Sequence, residues 1–379
     1  MIKNNVIDKF SILVLNYNNF DYLFEMIDSI YSQSYPNIEL VITDDASTYF
    51  DKDIIIDYIS KKERQIKTSI FVNGNNIGTV KTINKYLKYL TGDYYLITAS
   101  DDVFANEKVV SNYVDYFKNN NSNIITSQWI ICNDDLKKIK NYIPKYKISQ
   151  YNNSPEKILF EMCKCNRFGS GATAYRKELF SKYKFDETYI YLEDWPFWLK
   201  LLFNNEKIYV APFDGLLHRS GGISETNVIS SSKQKFFKEL LETFHKEIIP
   251  NLKRFNFYKQ WSIIDSYKFY IEYYGNYIDT SFYKNELNFI IYNNNKVKYY
   301  FYLNELNPHL CRKLFNLFKH NRIVLLSFLL TIIVSFIIAN YVYINNIILL
   351  FMVLLYIFIY GGLNIVREVV KWLKWKNIQ

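Results

Sequence analysis

Four apolar runs of strand length alternate with amphipathic helical stretches over the first hundred residues, and this alternation constrains the fold more than any other feature of the chain. "FSILVLN" (10–16) reads as a buried strand, and Leu23, Met26, Ile27 and Ile30 follow at helical spacing until Pro36 stops the helix. Residues 38–42 give a second strand, 54–61 a helical segment and "IKTSIFVN" (66–73) a third strand. Val80, Ile83, Leu87 and Leu90 mark another helix, closed by Thr91-Gly92-Asp93 before a fourth strand at 94–98. A β-α-β-α-β-α-β order predicts an α/β domain with a mostly parallel sheet and helices on both faces.

The strands share a second property. Each polar cluster, "NYNN" (16–19), "DDAS" (44–47) and "SDD" (100–102), follows the carboxyl end of a strand. Open parallel sheets bind ligands beyond those ends, so the clusters can converge on one cleft. Adjacent carboxylates in a cleft repel unless a cation lies between or beside them. A hard divalent ion, bridging carboxylate and diphosphate oxygens, would satisfy both Asp101-Asp102 and a phosphorylated ligand. Neither common glycine-rich phosphate loop is present, which argues against a dinucleotide fold and a P-loop enzyme.

Further along, "YIYLEDWPFWLKLLF" places Glu193 and Asp194 ahead of an apolar, helical segment, and "GLLHRSGGIS" holds His218 in a loop context with Gly221 and Gly222. Each has an ordinary reading as well. Asp194 can cap the helix with Pro196 in its first turn, and a lone histidine can be structural. Asp101 and Asp102 can belong to a turn, and Asp44-Asp45 can cap the entry to the second helix.

The bulk numbers narrow the partners. With 46 Lys+Arg against 37 Asp+Glu the chain is basic, which suits an anionic partner: nucleic acid, phosphorylated metabolite or membrane surface. Nucleic acid explains the charge but not the acidic clusters. Four cysteines in 379 residues make no disulfide framework, and Cys163 and Cys165 lack the histidines for a zinc site, so a reducing compartment is expected. The apolar run at 10–15 is only strand length, so no signal peptide is expected.

Residues 323–344 and 347–366 carry no charge, and each is about long enough to cross a bilayer as a helix of roughly 20 residues. Asn345 and Asn346 alone separate them. Arg312, Lys313, Lys319 and Arg322 precede the pair, and Arg367, Lys371, Lys374 and Lys376 follow it. Those flanks predict a transmembrane hairpin with the catalytic region and both termini in the cytosol, at an inner (cytoplasmic) membrane. The lysine-rich, aromatic helical stretch before it reads either as a subdomain packed on the sheet or as a face lying on the anionic leaflet, with 309–322 best suited to the second role.

In this order, "NYNN", "SQSYPNIELVITDDAST", "NNIGTVKTIN", "LTGDYYLITASDD", "ED" before a Trp-rich helix and a histidine after a last strand, the chain resembles the family 2 glycosyltransferases of the GT-A fold over about residues 9–224. The resemblance implies the following roles. Leu15 and Tyr17 would border the nucleotide base and Asp45 would accept its ring N–H. Gly78 and Asn84 would lie over the donor. Ile83 replaces the family's usual arginine, leaving Lys81 as the candidate cation for the diphosphate. Asp101 would face the donor sugar, and Asp102 with His218 would hold Mn2+ or Mg2+. Asp194 would be the catalytic base of an inverting displacement, with Glu193 and Trp195 on the acceptor side. No Q-x-x-R-W motif precedes the apolar hairpin, which argues against a processive synthase.

The expected organisation is therefore a GT-A domain at 1–224, a helical membrane-proximal region at 225–321, the hairpin at 322–367 and a basic tail at 368–379. The expected activity is transfer of one sugar from a nucleotide-sugar, a UDP-sugar first, to a hydroxyl of a lipid-linked glycan in cell-envelope polysaccharide synthesis. Two alternatives stay open: transfer to polyprenyl phosphate, and a non-catalytic, membrane-anchored nucleotide-sugar-binding protein.

Overall fold

The computed structural model describes residues 7–143, 145–222 and 228–294. The chain divides into two compact units, Met1–Asn294 and Asn295–Gln379, and every described residue belongs to the first. The expected hairpin, the basic stretch before it and the tail lie outside the described residues. Among the described residues, no helix is long and apolar enough to cross a membrane.

The elements run β1 (Phe10–Asn16), α1 (Phe20–Tyr31), β2 (Ile38–Asp44), α2 (Lys52–Ser60), β3 (Lys67–Val72), α3 (Thr79–Tyr86), β4 (Tyr94–Ala99), β5 (Val103–Phe104), α4 (Val109–Asn119), β6 (Ile124–Cys132) and β7 (Lys138–Asn141). Then come α5 (Lys145–Asn152), α6 (Pro155–Met162), β8 (Thr173–Arg176), α7 (Leu179–Lys182), α8 (Asp194–Phe203), β9 (Ile208–Arg219), α9 (Ser231–Thr243), α10 (Phe257–Tyr274) and α11 (Ser281–Asn293). The four predicted strands are all present. β2 extends through Thr43 to Asp44, because Asp44 pairs in register with Asn16 of β1.

One sheet contains every strand, in the order β3-β2-β1-β4-β8-β6-β9-β5, with β7 on β6. The first four strands pair in parallel, as expected. Beyond β4 the sheet departs from the expected, mostly parallel form. β8 is antiparallel to both β4 and β6, β5 is antiparallel to β9, and β6 and β9 run parallel. It is a mixed sheet. Short hydrophobic runs do not state their direction, since periodicity along a strand is the same either way.

α1 buries Leu23, Met26, Ile27 and Ile30 against the interior of β1 and β2. α8 is buried on nearly every side, Trp195, Phe197, Trp198 and Leu199 included, so its apolar residues follow no single face. Its two indoles keep their polar atoms satisfied: Trp195 Nε1 donates to Met162 O at 2.8 Å and Trp198 Nε1 to Tyr175 Oη at 2.9 Å. Past α9, Phe244 meets the Trp195 ring edge-on at 5.4 Å and stacks on Tyr267 of α10 at 4.9 Å. α9 and α10 thus pack on α8.

Candidate active site

The carboxyl ends of β1, β2 and β4 are tied together by one buried asparagine. Asn16 donates to Asp44 Oδ1 at 2.7 Å, and its own Oδ1 accepts from Ser100 Oγ at 2.8 Å. Ser47 completes the knot, with Oγ donating to Asp44 Oδ1 and backbone N–H to Oδ2, while Asn18 N–H donates to Ser47 Oγ. Asp44 is thereby consumed in holding its loop, which turns through the positive φ of Ala46 (60°). It does not cap the second helix. Asp51 does that, accepting from Asp53 N and Ile54 N. Leu15 sits partly exposed at the end of β1, and Tyr17 is half exposed beside it.

Asp45 turns toward the next strand end. Its Oδ1 accepts from Asn73 Nδ2 and Ile77 N, both at 2.9 Å, and its Oδ2 from Gly78 N at 2.8 Å. These bonds fix the loop that enters α3. Gly78 adopts φ +87°, and a Cβ there would lie 2.9 Å from Ile190 Cγ2, so both conformation and contact require glycine. Lys81 is exposed in the first turn of α3. Asn84 reaches across to the loop before α8, donating to Phe185 O at 2.9 Å and Glu187 Oε1 at 3.0 Å. The α3 entry and the 185–190 segment therefore form one surface.

Asp101 and Asp102 end the β4 turn. Asp102 is 4% exposed and its Oδ1 lies 2.7 Å from His218 Nδ1. His218 is in strand β9 and not in a loop, and its ring packs 4.6 Å from that of Trp129. Asp101 accepts from Asn19 Nδ2 at 3.2 Å. Burial first, and the Asp102 charge second, push the Asp101 carboxyl up to about 6. A buried cation does lie beside the pair: Arg219, 5% exposed, donates to Asp101 O and Asp134 O, pairs with Glu25 at 2.5 Å and covers the Tyr22 ring. Arg219 escaped the sequence reading, although it follows His218 directly.

A metal fits this corner. Among the described residues, no group of three or more His, Cys, Asp or Glu forms a ready-made cage, so the protein donors are the Asp102 carboxylate and the His218 imidazole. A divalent cation held here would take a carboxylate oxygen and one imidazole from the protein and its remaining ligands from elsewhere. Gly171 lets the backbone approach the corner closely: a Cβ there would meet Thr98 Oγ1 at 2.7 Å and Asp102 Oδ2 at 3.2 Å.

The second acidic pair opens α8. Asp194 is the first helical residue, and the cap position before it is Glu193, which makes no side-chain cap bond. Asp194 Oδ1 accepts from Trp195 N at 2.5 Å and Oδ2 from Asn166 Nδ2 at 2.9 Å. Both carboxyls are raised above the ordinary range by burial, Glu193 further by the charge of Asp194. Hydrogen bonds from Asn166 and Trp195 N–H pull Asp194 back, and one from the Ser170 hydroxyl does so for Glu193. Trp195, expected on the acceptor side, is fully buried with its ring against Phe244. Its position one residue past Asp194 turns it inward, because consecutive helical residues point about 100° apart.

What joins the two acidic pairs is the turn Gly169-Ser170-Gly171-Ala172. Ser170 bonds Glu193, Gly171 lies against Asp102, and Gly169 lies against Trp129, where a Cβ would come within 2.7 Å of the indole. Sequence reasoning passed over "GSGA", though four small residues before a strand mark a close backbone approach. Asn166 was missed with it. Asn166 O also accepts from Tyr142 Oη at 3.1 Å, and Tyr142 packs at a tilt on Trp129, so Asn166, which holds Asp194, and His218 rest on one aromatic cluster.

The mixed α/β sheet with flanking helices is GT-A-like in fold. Residues 11–184 match the family model "Glycosyl transferase family 2". The match stops short of Glu193, Asp194 and His218. An uncharacterized glycosyltransferase of Haemophilus influenzae is 28% identical over 197 residues, 50% of this chain and 58% of that protein. The poly(ribitol-phosphate) beta-glucosyltransferase of Bacillus spizizenii is 32% identical over 118 residues, 31% of this chain and 18% of its own length. The chain thus spans less than two thirds of these curated relatives. Among solved structures, the mannosyltransferase PcManGT of Pyrobaculum calidifontis superimposes with a TM-score of 0.50 at 15% identity, covering 73% of this chain and 77% of that one. At that identity the likeness concerns the fold.

Proposed function

We propose that this chain is an inverting, metal-dependent glycosyltransferase that moves one sugar from a nucleotide-sugar, a UDP-sugar first, to a hydroxyl of a lipid-linked glycan. The observation that carries the reading is the meeting of Asp102–His218 and Glu193–Asp194 on opposite sides of the 169–172 turn. The match of residues 11–184 to the family 2 model and the names of the relatives support the transferase class.

The acceptor oxygen attacks the anomeric carbon, its proton passes to Asp194, and the bond to the diphosphate breaks, so one displacement inverts the centre. Asp194 is suited to the proton. Asn166 and Trp195 N–H fix its two oxygens and favour the ionised form, while burial keeps it basic enough to accept. Glu193, raised further, stays protonated more readily and can donate to a sugar hydroxyl. A divalent cation at Asp102 and His218 would neutralise charge on the departing diphosphate. Residues 323–344 and 347–366 would anchor the enzyme as a hairpin with its catalytic unit in the cytosol.

The test is Asp194→Asn, which preserves size and the acceptor for Trp195 N–H but sets an NH2 against the Asn166 amide, so unfolding midpoints are measured alongside. Donor affinity, read as metal-dependent thermal stabilisation by a panel of nucleotide-sugars, should survive, while transfer falls by about two to four orders of magnitude. Near-normal transfer would place the base elsewhere, or point to a phosphate acceptor that needs no deprotonation.

A further inference from the structure

The last two described helices carry aromatic side chains on their outer surfaces. On α10, Phe269 (61% exposed) stacks on Tyr273 at 6.0 Å, and Tyr273 meets Tyr277, in the turn after the helix, edge-on at 5.9 Å. On α11, Phe282, Phe289 (70% exposed) and Tyr292 recur at steps of seven and three, which places them on one helical face. The opposite sides are satisfied, since Ile263, Tyr267, Ile271, Tyr283 and Leu287 are buried. Large exposed apolar side chains grouped on two neighbouring helices mark an interaction surface more often than a solvent face.

Beside the connection from α10 to α11 runs a groove of about 690 Å3, lined by Lys235, Lys238 and Lys246 together with Glu242, Asp279 and Phe282. Lys246 is neutralised by Glu242 at 2.6 Å. Lys235 is exposed next to the aromatic rim.

We infer that the α10–α11 pair, with the lysine groove at its turn, is a dock for an anionic bilayer surface. Tyrosine and phenylalanine with flanking lysine is the composition that settles at the boundary of acyl chains and headgroups. Lysines beside it suit lipid phosphates. The chain supplies the geometry as well. Only residues 295–322, 28 in number, separate Asn294 from the first uncharged run at 323, a tether of at most about 100 Å. The inference rests on the membrane anchoring proposed above, and it adds an orientation: the helices beside α8 lie on the leaflet, so a lipid-borne acceptor approaches Asp194 from the membrane side.

The test uses the full-length chain in vesicles of phosphatidylethanolamine and phosphatidylglycerol, with a fraction of the lipid brominated near the headgroup. Phe269→Trp and Phe289→Trp each add a reporter at an exposed site. Flotation first shows whether the chain is anchored. In floated protein the added emission should be quenched by brominated lipid and shielded from aqueous iodide. Quenching should weaken in phosphatidylcholine vesicles, and Lys235→Gln with Lys238→Gln should abolish that difference. Floated protein whose reporters respond to iodide and not to lipid overturns the dock while leaving the anchor intact. Failure to float overturns the anchor and the dock together. Shielding that rises with protein concentration in the absence of lipid assigns the face to a second copy of the chain and overturns the bilayer as its partner.

Discussion

At the residue scale, the site depends on neighbours that hold the acidic groups at fixed angles. Asn166 is the clearest case, because its amide is the side-chain donor to Asp194. Asn166→Ala removes a bond that favours the carboxylate, so the Asp194 pKa rises and the acidic limb of the rate profile moves to higher pH by about one unit. Turnover should fall by roughly 10-fold or more with donor KM unchanged, since the donor corner is elsewhere; a pH–rate profile measures both. Gly171→Ala acts on the other side. Its Cβ would meet Leu216 Cδ2 and Thr98 Oγ1 at 2.7 Å, both fixed in the interior. We expect about 1–3 kcal/mol of destabilisation in denaturant titration, and weaker metal-dependent donor binding because Asp102 must shift.

At the element scale, the segment before α8 is held from outside the sheet. Glu239 of α9 is 8% exposed and accepts from the backbone N–H groups of Ile190, Tyr191 and Leu192 at 2.8, 3.0 and 2.9 Å. A carboxylate with three donors acts there as the missing neighbour of an irregular strand. This same segment contacts Gly78 through Ile190 and leads directly into Glu193 and Asp194. Glu239→Gln replaces one of the two accepting oxygens by an NH2 that faces a backbone N–H. It should cost about 1–3 kcal/mol by chemical denaturation. Transfer should drop more than donor affinity, because the loop positions the acceptor side; equal losses in both would show that the loop only supports the fold.

At the scale of the whole molecule, the amino-terminal edge of the sheet is joined by one buried carboxylate. Glu39 of β2 accepts from Ser11 Oγ and Thr91 N at 2.7 Å and from Thr91 Oγ1 and Lys67 Nζ at 2.9 Å, drawing in β1, β3 and the turn before β4. Burial raises its pKa, but the hydrogen bonds from Ser11, Thr91 and Lys67 outweigh it and bring the group down to about 2. A depressed folded pKa stabilises the fold above the unfolded value near 4.5, and that contribution fades as pH falls toward 2. It is worth roughly 2–3 kcal/mol at neutral pH. Unfolding midpoints should therefore decline between about pH 5 and pH 2, and Glu39→Gln should flatten that decline while lowering stability at pH 7.

The alternation of apolar runs determined β1 to β4 and the helices between them, because strand and helix periods are local properties of the chain. It also placed Asp101, Asp102 and Asp194 at element ends, where side chains reach solvent or ligand. Three things lay beyond it. Strand direction in β5 to β9 was hidden, since pairing partners such as Val103 and Leu217 lie far apart in the sequence. The inward turn of Trp195 and the spending of Asp44 on its own loop came from competition for hydrogen-bond partners that only packing resolves. Asn166, Gly171, Arg219 and Glu239 gained their importance from the backbones and carboxylates that folding brought beside them. Sequence specified which groups carry charge and which segments are apolar; the tertiary structure decided which charges meet, because that meeting depends on burial and distance and neither exists in the extended chain.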